Sequence, residues 1–206
     1  MNIDDDLELE PGAIDELLST YNAGHGRRVV AGSVSWDDIW TTPVKMRRIG
    51  YGRQIVDGEM GDFIIGMFFA YPRSFALTWP WNERIDKGDD IFMGALWRSH
   101  GVQILFAPKA RALHPGPPTS ADPARIGETA RHQTSEMYAL LFDAVIANPS
   151  LGRAVSYEVL GLLARLKLYG RRPRWTIDLF RSWFSAHRRL LADWRYLKEL
   201  TRKEPA

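Results

Sequence analysis

Ile14, Leu17, Leu18 and Tyr21 recur at the spacing of one helical face and predict a helix over 13–21. Pro11 stands where a first helical turn accepts a proline, and the polar, glycine-rich stretch 22–26 closes the helix. An apolar stub at residues 1–3 precedes this helix, and 29–34 reads as a strand after it. Residues 35–60 mix aromatic, basic and glycine positions with no assignable period. The run 63–70 predicts a buried strand, bounded by Gly61 and by Tyr71-Pro72. Trp79-Pro80-Trp81 marks a loop, and a helix starts at Asp89 or Asp90 and ends at His100-Gly101. Strands follow at 102–107 and 110–114, then a rigid Pro-Gly-Pro-Pro loop after His114. Beyond it the pattern is helical, near 123–147, 151–169 and 174–201. The alternation predicts an α/β region over 1–120 and a helical region over 121–206.

At 206 residues the chain is long enough to bury a core without staples. It has no cysteine, which excludes a disulfide framework, a thiolate metal site and a cysteine nucleophile. The longest apolar run, 63–70, falls short of the roughly 20 residues that span a bilayer. An acidic N-terminus is the reverse of a secretory signal, so the expectation is a cytoplasmic protein. The net charge of +2 hides an asymmetry. Residues 1–150 hold 14 Lys and Arg against 20 Asp and Glu, a balance of −6, whereas 151–206 hold 13 against 5, a balance of +8. An acidic body with a basic tail suggests chemistry in the first and contact with an anionic surface through the second.

Three groups of residues could carry chemistry. Asp4, Asp5 and Asp6 crowd three carboxylates together; two such charges about 4 Å apart repel by roughly 4 kcal/mol at an effective dielectric near 20. Either the cluster serves the helix that follows, through its dipole, or it holds a cation. Its place after an apolar strand stub, where α/β sheets put their ligands, favours Mg²⁺ or Mn²⁺. Asp89 and Asp90 follow Gly88 at a helix start; one aspartate suffices for a cap, and the second is free to act as a general base. His114 follows a strand, and as a metal ligand it would need carboxylate partners. Gly66 and Arg73 could line a substrate wall, and Trp79 and Trp81 could stack on a sugar ring or simply cover a core. No phosphate-binding glycine motif and no GxSxG is present.

The order of these pieces resembles the second half of family 2 glycosyltransferases of the GT-A fold. Asn2-Ile3-Asp4-Asp5-Asp6 followed by Pro11-Gly12-Ala13-Ile14 looks like the strand-end DxD motif and its helix. Gly88-Asp89-Asp90 looks like the acceptor-side xED motif, with Asp89 in the Glu place, and His114 looks like the metal-associated histidine. The resemblance covers about residues 1–115. It implies an incomplete GT-A-like mixed sheet that transfers a sugar from a nucleotide-diphosphate donor with inversion. Asp4 and Asp6, with Asp5 beside them and His114, would hold Mg²⁺ or Mn²⁺ against the diphosphate. Asp90 would take the acceptor's proton, Asp89 would orient the acceptor, and Gly66, Arg73, Trp79 and Trp81 would shape the acceptor site. The acceptor would be a glycan or a lipid-linked sugar. The family's nucleotide-binding strands precede the DxD motif, so by the resemblance this chain is a partial catalytic domain. The QxxRW motif of processive members is missing from the expected region, 131–137.

The tail has two readings. Ten Arg and Lys residues between Arg171 and Lys203 interleave with Trp175, Phe180, Trp183, Phe184, Trp194 and Tyr196. Such a helix can lie on an anionic membrane surface, here the inner face of the membrane, and the alternative to a transferase is then a catalytically incomplete membrane-surface or partner-binding module acting through this tail. Equally, it can pack its Trp and Leu face on the body with arginines outward. Nucleic acid is disfavoured as a partner, because the acidic body would oppose it.

Overall fold

The computed structural model describes residues 1–36, 39–47, 52–64, 67–81, 85, 88–115, 129–169 and 173–204. A mixed α/β fold results: a curled six-stranded sheet with helices on both faces, followed by C-terminal helices. The strands are β1 (Asn2–Ile3), β2 (Glu8–Leu9), β3 (Arg28–Trp36), β4 (Ile39–Thr41), β7 (Phe68–Ala70) and β8 (Gln103–Leu113), in the order β1-β7-β3-β8-β2 with β4 also on β3. β3 and β8 run parallel and the other pairs antiparallel. A separate hairpin, β5 (Val44–Met46) and β6 (Gly52–Gln54), fills part of the stretch that has no period.

The sheet curls where β8 carries a bulge. Ala31 pairs with Phe106 but Ser33 with Arg111, so β8 gains three residues over two steps of β3. Pro108 lacks the N–H a ladder needs and lies in this bulge. Gly32 sits opposite, where a Cβ would run into the Ala110 carbonyl and the Phe68 ring. The expected strands at 102–107 and 110–114 are therefore one bulged strand. The expected strand over 63–70 shrinks to β7, because Phe63 is drawn into a bridge with Val44 and Gly61 into one with Ile104; residues 65–66 lie outside the described set.

Helix α1 (Ala13–Asn22) covers one face of the sheet, burying Ala13 and Leu17 against Val30, Val34, Phe68 and the alanines Ala107, Ala110 and Ala112 of β8. Complete burial of one leucine contributes about 1.5–3 kcal/mol. Pro11 does not occupy the first turn: the helix starts two residues later, after Gly12 at φ 80°. A short helix, α2 (Arg73–Thr78), precedes Trp79 where sequence periodicity is silent.

The opposite face carries α3 (Asp89–Ser99), which buries Phe92, Met93, Ala95, Leu96 and Trp97. The same apolar cluster continues into α4 (Thr129–Phe142), α7 (Pro173–Ala192) and α8 (Trp194–Leu200), so the helices after residue 120 share the core of the sheet. α4 ends in a π-helical turn, Asp143–Ala147. After Asn148, α5 (Leu151–Val155) runs through a second π turn, Ser156–Leu160, into α6 (Gly161–Tyr169). The single helix expected over 174–201 is divided at Asp193, whose carboxylate accepts the Tyr138 hydroxyl at 2.9 Å. Among the described residues no helix is long and apolar enough to cross a membrane.

Candidate functional site

Residues 4–7 form a turn that links one edge strand of the sheet, β1, to the other, β2. The Asp4 N–H donates to the Met67 carbonyl at 3.0 Å, continuing the β1–β7 ladder, and the Leu7 N–H donates back to the Asp4 carbonyl at 3.3 Å. Asp5 and Asp6 stand at the exposed corner. Residue Glu8 then pairs with Leu113 at the end of β8, which brings the turn over the strand end where His114 emerges. The His114 N–H donates to the Ser35 carbonyl at 2.9 Å, so the backbone of β3 fixes its position.

The consequence is that Asp6 Oδ2 lies 3.1 Å from His114 Nε2. The Asp6 carboxylate is 56% exposed and the imidazole 16%. Partial burial, then the neighbouring charges of Asp6 and Asp5, hold the Asp4 carboxyl above its usual range. Like charges that raise the pKa of a neighbouring carboxyl are what a bound cation relieves.

The three aspartates do not serve α1. Its N-cap is Gly12, with no side-chain cap, and its first-turn acids are Asp15 and Glu16. A divalent cation suits the donor set. The 3.1 Å contact is that of a direct carboxylate–imidazole pair; two cis ligands at about 2.1 Å from one ion would lie about 3.0 Å apart, and of the two groups the carboxylate suits Mn²⁺ or Mg²⁺ while imidazole suits softer ions. Among the described residues no three such groups meet in a ready-made cage.

The second acidic pair starts α3. Gly88, at φ 80°, turns the chain into the helix, and a Cβ there would press on the Glu136 Cα at 3.2 Å, so glycine lets α3 abut α4. Asp90 Oδ1 accepts from the Ile91 N–H at 2.8 Å. Burial, then the charge of Asp89, and more weakly that of Glu136, push the Asp90 carboxyl up to about 7. Burial also raises Asp89. Each aspartate thus retains part of a helix-start role. One of them has in addition the proton affinity of a base working near neutral pH. Glu136, which periodicity does not single out, is held by Arg165 at 3.3 Å.

The expected acceptor residues fall differently. Trp79 is 1% exposed; its ring lies against Phe75 and His100, and its Nε1–H donates to the Lys203 carbonyl at 3.1 Å. It anchors the C-terminal segment and has no open face for a sugar. Trp81 is half-buried, edge-on to Phe69 and Trp97 at 6.0 and 6.2 Å. Arg73 is exposed at the first position of α2. Gly66 lies outside the described residues.

A larger ionic network has no sequence signature. Asp143, 2% exposed, accepts from Arg98 at 2.7 Å, Asn148 at 2.8 Å and Arg153 at 3.0 Å. Arg98 also binds Asp62, through both the carbonyl and the carboxylate. Asp62 in turn accepts the Met46 N–H at 2.7 Å. Its members come from a loop, α3, the π turn and α5, and no spacing rule connects them. No protein-family model matches the chain, and no curated protein matches it.

Proposed function

We propose that this chain is the catalytic part of a metal-dependent, inverting glycosyltransferase that moves a sugar from a nucleotide-diphosphate donor to an acceptor hydroxyl. The observation that carries the reading is the meeting of Asp6 and His114, residues far apart in sequence, at one end of the sheet beside Asp4. Asp4, Asp6 and His114 would hold Mg²⁺ or Mn²⁺, with Asp5 adding negative charge. A cation there would offset the charge that builds on a departing nucleoside diphosphate.

Asp90 acts on the acceptor. Its carboxylate takes the proton of the acceptor hydroxyl as that oxygen bonds to the anomeric carbon, and the bond from that carbon to the diphosphate breaks on the opposite side, inverting the centre. With a carboxyl at about 7, the basic form is half populated near neutral pH and holds a proton more strongly than an ordinary aspartate. Asp89 and the rim near Arg73 and Trp81 would orient a glycan or lipid-linked acceptor.

Calorimetric titration with UDP and GDP, with and without Mn²⁺, tests this. Nucleotide binding that requires Mn²⁺ and disappears in an Asp4→Ala/Asp6→Ala variant is expected. Binding indifferent to the metal or to both substitutions contradicts the reading.

A second reading has its own observation. On α7, Leu179, Ala186 and Leu190 are buried, but Ile177, Phe180, Phe184 and Leu191 are 40–70% exposed, with Arg181 and Arg188 exposed beside them. An amphipathic helix of this kind suits an anionic membrane surface, so the helical region would work as a surface-binding module whether or not the sheet is active. Co-sedimentation with anionic vesicles, lost in a Phe180→Ser/Phe184→Ser variant, is the expected outcome; equal recovery of both proteins contradicts it.

A further inference from the structure

Between the β5–β6 hairpin and α5 lies a cleft of about 530 Å³ that the transferase reading does not use. Met46, Arg47, Ser150, Arg153, Ser156 and Tyr157 line it. Two arginines and three hydroxyl-bearing residues are among its lining, and no acid is among the described lining residues.

The two arginines are held differently. Arg153 reaches Asp143 with one Nη at 3.0 Å and remains 38% exposed. Burial pulls its pKa down, but the Asp143 carboxylate outweighs that and holds it above its usual value, so the group stays charged. Behind the cleft, Asp62 and Asp143 are matched by Arg98 and Arg153. Arg47 is then a surplus positive charge, exposed at the mouth, and among the described residues no carboxylate pairs with it. The Ser150 Oγ accepts the Arg153 N–H at 3.3 Å, which leaves its own proton to donate elsewhere. The Tyr157 hydroxyl, at the back, reaches Asp143 at 3.5 Å.

From this we infer that the cleft binds a phosphate-class anion, a phosphate or diphosphate group. A wall with two arginines and two serine hydroxyls, and no acid among its described residues, matches an oxyanion with many acceptor oxygens, and guanidinium groups pair with such oxyanions in charge-assisted hydrogen bonds. The cleft has room for more than a single phosphate. The site adjoins the second acidic pair: Ile91, the residue after Asp90, packs in the same small apolar cluster as Met46 and Tyr157.

The test is calorimetry in excess chelator, which removes any dependence on the aspartate–histidine site. Inorganic pyrophosphate is one arm, and short-chain phosphatidic acid below its micelle concentration is the other. The variants are Arg47→Glu and Gly152→Phe; Gly152 lines the cleft and a Cβ there meets nothing within 4 Å, so a side chain can be added at the cleft wall. Arg153 is left intact because its loss would strip Asp143 of a partner. Binding in either arm, weakened about tenfold or more by both variants and unchanged in Asp4→Ala/Asp6→Ala, is the expected result. Pyrophosphate binding identifies a free phosphorylated ligand, and binding of the lipid alone identifies a lipid phosphate. Binding in neither arm, or binding that both variants leave unchanged, overturns the proposal. That outcome leaves the transferase reading standing, because no metal or nucleotide enters the measurement.

Discussion

Two groups of carboxylates in this molecule are handled in opposite ways. Asp62 and Asp143 are each met by arginine, and Asp143 is almost fully buried in a network that joins α3, the π turn and α5. Asp4, Asp5 and Asp6 crowd one another at a strand end, with one histidine and, among the described residues, no arginine or lysine. The first group is a structural fixture: its charge is matched, and removing any member strands a partner. In the second, charge is concentrated, with Asp5 and Asp6 exposed and Asp4 only half-buried. The difference separates acids that hold the chain together from acids available to a ligand. Asp90 stands between them, half-buried and close to Asp89 and Glu136 rather than a cation.

The largest expected effect is on the matched group. Asp143→Ala leaves Arg98 and Arg153 without their buried partner and should cost about 3–5 kcal/mol in urea unfolding. A loss under about 1 kcal/mol would remove the contrast.

Asp90→Asn comes next. The folded protein holds this proton up to about 7, whereas an unfolded aspartate releases it near 3.8. Between those values the folded state binds more protons, so stability falls as pH rises from 4 to 7 and is level above it. The Asn variant should lose that slope and be more stable than wild type at pH 8 by on the order of 2 kcal/mol. It should also lose transfer activity. Parallel stability profiles for the two proteins would show that the carboxyl is not perturbed.

Trp79→Phe should cost about 1 kcal/mol, the loss of one hydrogen bond to the C-terminal segment, with Mn²⁺ binding intact. Dependence of metal binding on this ring would instead tie Trp79 to the candidate site.

The smallest effect is expected at the open group. Asp5→Asn should shift stability by no more than about 0.5 kcal/mol, toward greater stability, since it relieves repulsion. Destabilisation by 2 kcal/mol would mean that the cluster is a structural fixture after all.

What the sequence reveals follows the reach of each interaction. α1 is legible because its apolar spacing is local, although Pro11 misplaces its start, and α3 because Gly88 and the aspartates at its start are local. The Asp4–Asp6 turn and His114 are legible as strand ends, although only the fold shows that they meet. Trp79 looks like a loop tryptophan, but its partners Phe75, His100 and Lys203 include distant ones. The division at Asp193 is invisible for the same reason, since Tyr138 holds that carboxylate from another helix. β8 reads as two strands because Pro108 interrupts its pattern, and only pairing with Gly32 and its neighbours shows a bulge. The Asp62–Arg98–Asp143–Arg153 network has no local pattern at all.

The most direct test is electron paramagnetic resonance of Mn²⁺ titrated into wild type, Asp6→Ala and Asp62→Asn. The account predicts one bound ion in wild type, none in Asp6→Ala and one in a folded Asp62→Asn. No bound ion in wild type, or equal binding in wild type and Asp6→Ala, would contradict it.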